Sequence, residues 1–244
     1  MGFDAFFKDL ADPYSRRARL YPGLIVTLPI SILAIVLVTT KPTWWSAVVV
    51  LLGASGASYL GSQLVRSAGR GKQAALWASW GGAPTTQLLR FRDAPNRVSV
   101  QRRHAQLTRV FPDLVIPDET SESAEPAAAD QHYEVAIKAL IERTRDSQRF
   151  DRVFDENCQY GFRRNLWGCR TIAIWLAGVG LAVTAGLGAL QATDVLNISI
   201  LGLGLSGGID VLLLIVFGAA VRSNWVREAG EAYAERLVGS LETL

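Results

Sequence analysis

Two apolar blocks, residues 23–65 and 171–221, divide the chain, and nearly all charged residues lie outside them. The first block opens with an uncharged run of eighteen residues, 23–40. At about 1.5 Å per residue such a run can cross a bilayer core, and Pro29 is placed to kink it. No small-residue cleavage site follows, so the run reads as a retained first span rather than a signal peptide. Lys41-Pro42 makes a short connection to a second span over about 45–65, its antiparallel neighbour. Trp44 and Trp45 mark the outer interface. The second block holds a third span over about 171–191 and a fourth over about 201–221, closed on the inside by Arg222 and Trp225. The glycine-rich opening of the fourth, 202–208, predicts a bend or a broken helix. The pattern predicts an all-α membrane protein, with four transmembrane helices in two hairpins and a helical cytosolic region between them.

The remaining segments are polar or amphipathic. In residues 1–22, Phe3, Phe6, Phe7 and Leu10 recur at helical spacing. They predict an amphipathic helix that either lies in the interface or packs on the protein's own cytosolic part. Residues 66–170 show no strand-like alternation. The second helix should extend inward until Gly81-Gly82-Ala83-Pro84 stops it. Thr85 or Thr86 can cap a short helix through Leu89 and Phe91, and Ser99 another to about Val110. The stretch 117–130 is acidic and rich in Ser and Ala, the composition of a mobile linker. Tyr133, Ile137, Leu140 and Ile141 repeat with helical period and predict a helix over 128–145. A last helix from about Phe150 should run into the third span, and 222–244 forms a C-terminal helix.

Charge sets the topology. Of 25 Lys and Arg residues, four lie in 1–22, seventeen in 66–170 and three in 222–244, leaving only Lys41 for the other two loops. The positive-inside rule places both termini and the middle region in the cytoplasm. Half the residues are hydrophobic and the mean hydropathy is +0.21, which the block pattern explains without a large soluble core. Cys158 and Cys169 lack metal-ligand spacing and fall on the reducing side, where a disulfide is not expected. His104 and His132 alone cannot hold a metal, so neither a metal nor another cofactor is expected. No Ser-His-Asp order, paired catalytic acids or H-E-x-x-H is present, and the chain is expected not to be an enzyme. Basic residues beside lipid need no nucleic acid to explain them.

Four features carry candidate chemistry. Residues 156–170, ENCQYGFRRNLWGCR, set Arg163, Arg164, Arg170 and Trp167 at the foot of the third span. There they can contact anionic lipid headgroups, or Glu156 can pair with an arginine of the same helix. Around the turn, Gly81, Gly82, Thr85, Thr86, Arg90 and Arg92 could bind a phosphate, as in a nucleotide. The alternative is a helix stop followed by a capped helix. Asp210 lies twelve residues before Arg222, which puts it about 18 Å from the inner boundary, near mid-bilayer. It is either an ion or proton site, or a carboxylate bonded to Ser206 or Tyr59 or drawn to the outer face. Gly53, Ala57 and Gly61 in the second span and Gly178, Ala182 and Gly186 in the third form small-residue stripes. These allow the two helices to pack together, or each to face another protomer of a homo-oligomer.

The Trp80–Arg92 block, with Glu156-Asn157-x-x-Tyr160-Gly161-Phe162-Arg163-Arg164-Asn165-Leu166, resembles a group of uncharacterised bacterial membrane proteins. That likeness covers about a fifth of the chain and brings no site residues. In topology alone, the plan is similar to the four-span effectors of bacterial nucleotide-triggered defence systems. The combined expectation is a multi-pass bacterial inner-membrane protein acting as a channel-like or effector assembly under the control of its cytosolic helices. The rivals are a scaffold docking a cytosolic protein and a small proton-coupled transporter using Asp210.

Overall fold

The computed structural model describes residues 11–39 and 44–244, with side chains described for 11–38 and 61–244. The amphipathic segment of Phe3, Phe6, Phe7 and Leu10 and the tryptophans at 44 and 45 lie outside the described side chains. Every regular element among the described residues is helical.

The first helix, α1, runs through Pro13–Ser15, a wide turn at Arg16–Leu20, and Tyr21–Thr39. It starts ten residues before the uncharged run because Asp12 caps it, accepting the Ser15 amide at 2.8 Å, and Pro13 suits the first helical position. Helix α2 is Trp44–Ser79 and continues unbroken to the glycine turn. Short α3 (Pro84–Gln87), α4 (Arg97–Val110), α5 (Glu119–Ala124) and α6 (Pro126–Arg143) follow. Then come α7 (Asp151–Gly168), α8 (Arg170–Ala192) and α9 (Ile200–Ile215), the last ending in a wide turn at Val216–Ala220. Helix α10 (Ser223–Gly239) and a short 3-10 turn (Ser240–Glu242) close the chain.

Three of these helices are long and apolar enough to cross a membrane: Pro13–Val38, Arg170–Ala192 and Ile200–Ala220. A fourth crossing at 45–65 falls on residues whose side chains lie largely outside the described set. The glycine-rich start of the last span is unbroken helix, contrary to the expected bend, and its irregular turn comes at the other end.

The chain divides into two compact units, residues 1–72 with 161–225 and residues 73–160 with 226–244. The first holds the three spans. Its core gathers Val26, Val65, Leu166, Ala177, Leu213 and Phe217, while Trp175, Ile200 and Leu201 are 70–76% exposed, as lipid-facing side chains are. The second unit is built on Leu107, Tyr133, Leu140, Leu237 and Leu241, all fully buried.

Small residues do bring helices together: Gly61 of the second-span stripe packs on α1, where a Cβ would lie 3.1 Å from the Thr27 methyl and 3.4 Å from the Gly23 carbonyl oxygen, rather than on the third span. A side chain at Gly23 would meet the Ser62 amide nitrogen at 2.8 Å, and one at Gly168 would meet the Gly69 nitrogen at 2.6 Å. These mark the close approaches of α1 and α7 to α2. Gly53 and Ala57 fall outside the described side chains. Gly178 and Gly186 have nothing within 4 Å of where a Cβ would sit, and Ala182 is exposed. The third-span stripe therefore does not pack on another described helix of this chain.

Candidate functional site

In the second unit, the glycine turn is built by its own side chains. Helix α2 stops where Gly81 and Gly82 take φ of +85° and +135°, a region open to glycine. The Gln87 side-chain amide donates to the carbonyls of Trp80 at 2.6 Å and Gly82 at 3.1 Å. Arg90 donates from Nη1 to the Gly81 carbonyl at 2.7 Å, and from Nε and Nη2 to both oxygens of Asp130 at 2.8 Å. Arg92 also holds Asp130, at 2.7 Å to each oxygen, and reaches Glu122 at 2.9 Å. Neither Thr85 nor Thr86 caps α3, which starts on Ala83 and Pro84, and Thr86 is buried. A phosphate at this turn would have to displace Asp130 from both guanidiniums. The phosphate reading of Gly81, Gly82, Thr85, Thr86, Arg90 and Arg92 thus loses the cations on which it rested, and the capping role it competed with belongs to Gln87 and Arg90.

The carboxylates that take those arginines come from the stretch expected to be a mobile linker. Residues 117–130 instead form α5 and the start of α6, with Asp118 accepting the Ser121 amide at 2.8 Å as N-cap. Glu122 is 2% exposed and accepts from the amides of Phe91 and Arg92, the Arg92 guanidinium and the Tyr133 hydroxyl. Burial alone would raise its pKa, but these donors together outweigh burial and hold the carboxyl below its ordinary range. Asp130 is likewise lowered, its two arginines overcoming burial. Burial, then the Glu122 carboxylate, pushes the Tyr133 hydroxyl well above its usual value. His104 packs edge-on to Phe91 and its Nε2–H donates to the Leu89 carbonyl at 2.7 Å. Burial, only partly opposed by Leu89 and Glu122, lowers its pKa. The whole arrangement is a satisfied ionic core.

At the foot of the spans, within the first unit, the basic residues bond to backbone carbonyls and to a neighbouring side chain. Arg170 donates to the carbonyls of Phe217 at 2.7 Å and Gly218 at 3.1 Å, the open end of the last span. Arg163 donates to the Trp225 carbonyl at 2.9 Å and lies 5.0 Å from that ring's centre. Lys72 caps Gly168 at 2.9 Å and lies over the Trp167 ring, while Arg164 contacts the Asn165 amide oxygen. Asn165 in turn donates to the Ala18 carbonyl at 2.6 Å. Arg163, Arg164, Arg170 and Trp167, expected at lipid headgroups, make these contacts within the chain.

Asp210 is of another kind. It sits mid-way along Ile200–Ala220, is fully buried, and neither carboxylate oxygen has a hydrogen-bond partner among the described residues. It faces Gly180, mid-way along α8, where a Cβ would lie 2.9 and 3.0 Å from its two oxygens. One turn along the same seam, Ser206 and Thr184 are buried with their hydroxyl oxygens 3.3 Å apart. Asp210 is therefore neither bonded to Ser206 nor drawn to a surface; Tyr59 falls outside the described side chains. Sequence reasoning reached Asp210 and Ser206 but missed Gly180 and Thr184. The available signal was the matched four-residue step, Gly180/Thr184 on one span and Ser206/Asp210 on the next.

No family model, no curated protein and no solved structure matches the chain.

Proposed function

We propose that this chain is a non-enzymatic, channel-like effector assembly of a bacterial inner membrane, in which Asp210 serves function rather than folding. In this reading four helices span the bilayer, both termini are cytoplasmic, several copies assemble, and the helical region on the cytoplasmic side governs the membrane part. One observation carries it: a carboxylate at the middle of an apolar helix, fully buried, with no partner among the described residues. Such a group costs roughly 2.5–3.5 kcal/mol on insertion scales, and ordinary packing offers no return for it. Residues 22–39, 44–65 and 171–192 contain no lysine or arginine to pair with it.

The test is ionic conductance of the purified chain in liposomes. The parent should conduct, and Asp210→Asn, inserted at equal density, should lose the conductance. An equally conducting variant, or a silent parent, refutes the reading. The same carboxylate supports a second reading, proton-coupled transport, which concentrative uptake without conductance would identify.

A further inference from the structure

We propose that the seam between α8 and α9 is a binding site for one small monovalent cation of the sodium or lithium class, held by Asp210, Ser206 and Thr184. The proposal rests on the functional role given to Asp210 above and names what occupies it. Both Asp210 oxygens are buried without a hydrogen-bond donor among the described residues, and a buried ionised carboxylate persists only with a compensating charge.

Among the described residues no hydrogen-bond donor, charged or neutral, meets Asp210. Residues 22–39, 44–65, 171–192 and 200–220 contain no lysine or arginine, and Arg170, at the foot of α8, is bonded to the Phe217 and Gly218 carbonyls. Residues 22–39, 171–192 and 200–220 contain no other charged, histidine, cysteine or tyrosine side chain, and Tyr59 of the second helix lies outside the described side chains. Protonation would remove the charge but not the deficit. A carboxylic acid has an O–H donor as well as acceptor oxygens, and both oxygens here lack partners. A cation meets charge and oxygens together.

The ligand chemistry selects the class. All the candidate donors are oxygens: the carboxylate and, one turn away, the buried hydroxyls of Ser206 and Thr184 at 3.3 Å from each other. Oxygen donors suit hard cations, and the lack of any imidazole or thiolate in the seam disfavours transition metals. One carboxylate balances a single positive charge, whereas a divalent ion would leave excess charge in hydrocarbon. Gly180 completes the arrangement, since any side chain there would come within 3.0 Å of both carboxylate oxygens.

The experiment is thermal unfolding of the full chain in detergent, at one pH and constant ionic strength, in sodium, lithium, potassium or choline chloride. Sodium or lithium should raise the unfolding temperature over choline with a saturable midpoint. Asp210→Asn should abolish that rise, and Ser206→Ala and Thr184→Ala should each raise the midpoint about tenfold, the loss of one oxygen contact. Equal unfolding temperatures in all four salts overturn the site, as does stabilisation that follows pH alone, which would mean a proton only. A salt effect that survives Asp210→Asn, or is untouched by both hydroxyl variants, overturns it too. Should Asp210→Asn fail to fold, the two hydroxyl variants decide. Cation binding by a chain that never conducts keeps the site and refutes the channel reading. Conductance without a cation effect does the reverse.

Discussion

Glu122 and Asp210 are both buried acids, and their surroundings are opposite. Glu122, in the second unit, is 2% exposed and has four donors within 3.2 Å. Asp210, among the spans, is fully buried and has none among the described residues. The first acid is wired into its fold: removing it strands two backbone amides and takes one partner each from the Arg92 guanidinium, which keeps Asp130, and the Tyr133 hydroxyl. Removing the second strands no hydrogen-bond partner among the described residues. Burial alone therefore does not say what a carboxylate is for; its partners do.

The sharpest way to break the comparison is to truncate the wired acid. Glu122→Ala should destabilise the second unit by about 3–5 kcal/mol, since each of the two amides left without an acceptor costs about 1–3 kcal/mol and the Arg92 and Tyr133 bonds are lost besides. Chemical denaturation followed by the fluorescence of Trp77 or Trp80 would show it. A loss under about 1 kcal/mol would mean water replaces the carboxylate at little cost.

Acid should expose the same network in two steps. His104 is held neutral by burial, with its pKa below the ordinary value. Its contribution is present above its unfolded pKa of about 6.5 and fades as pH falls through the lower folded value. Glu122 and Asp130 also have lowered pKa values. Their contribution is present above about pH 4 and is lost as pH falls further, through their folded values. Unfolding temperature against pH should therefore decline gently below about 6.5 and steeply below about 4. A flat profile to pH 3 would show that the ion pairs add little.

Two smaller changes calibrate the scale. Asn96 accepts the Val98 and Ser99 amides at the start of α4, so Asn96→Ala should cost about 1 kcal/mol. The exposed Arg102–Glu242 pair, at 2.9 Å, should be worth under about 0.5 kcal/mol, and Arg102→Ala should be hard to distinguish from the parent. A larger loss at Arg102 would show that exposed pairs in this unit are not screened as expected.

The same contrast explains what the sequence made legible. Long apolar runs and helical periodicity report on one helix at a time, so α8, α9 and α6 could be placed within a few residues. The cap of α4 was displaced from Ser99 to Asn96, because two cap-forming residues stand three apart and only backbone geometry decides between them. Residues 117–130 read as solvated because Glu, Ser and Ala dominate them. Their order depends on Arg90 and Arg92, about 30 to 40 positions upstream, which local composition cannot register. The glycines at 202–208 stay helical, because backbone groups in an apolar span must find their partners within the helix whatever the residue's propensity. Asp210 stood out as a charge in an apolar run, but its lack of partners is a property of the fold.

The most direct test sets the two acids side by side as their amides. Glu122→Gln and Asp210→Asn each keep the side chain's shape while removing its charge, and both would be unfolded in choline chloride to exclude any small cation. Glu122→Gln should lower the unfolding temperature clearly, because the amide's NH2 confronts donors that the carboxylate accepted. Asp210→Asn should leave it unchanged or raise it, because no partner is lost and an uncompensated charge is removed. The opposite order, with Asp210→Asn the more destabilised, would contradict the claim that Asp210 is retained for function rather than for the fold.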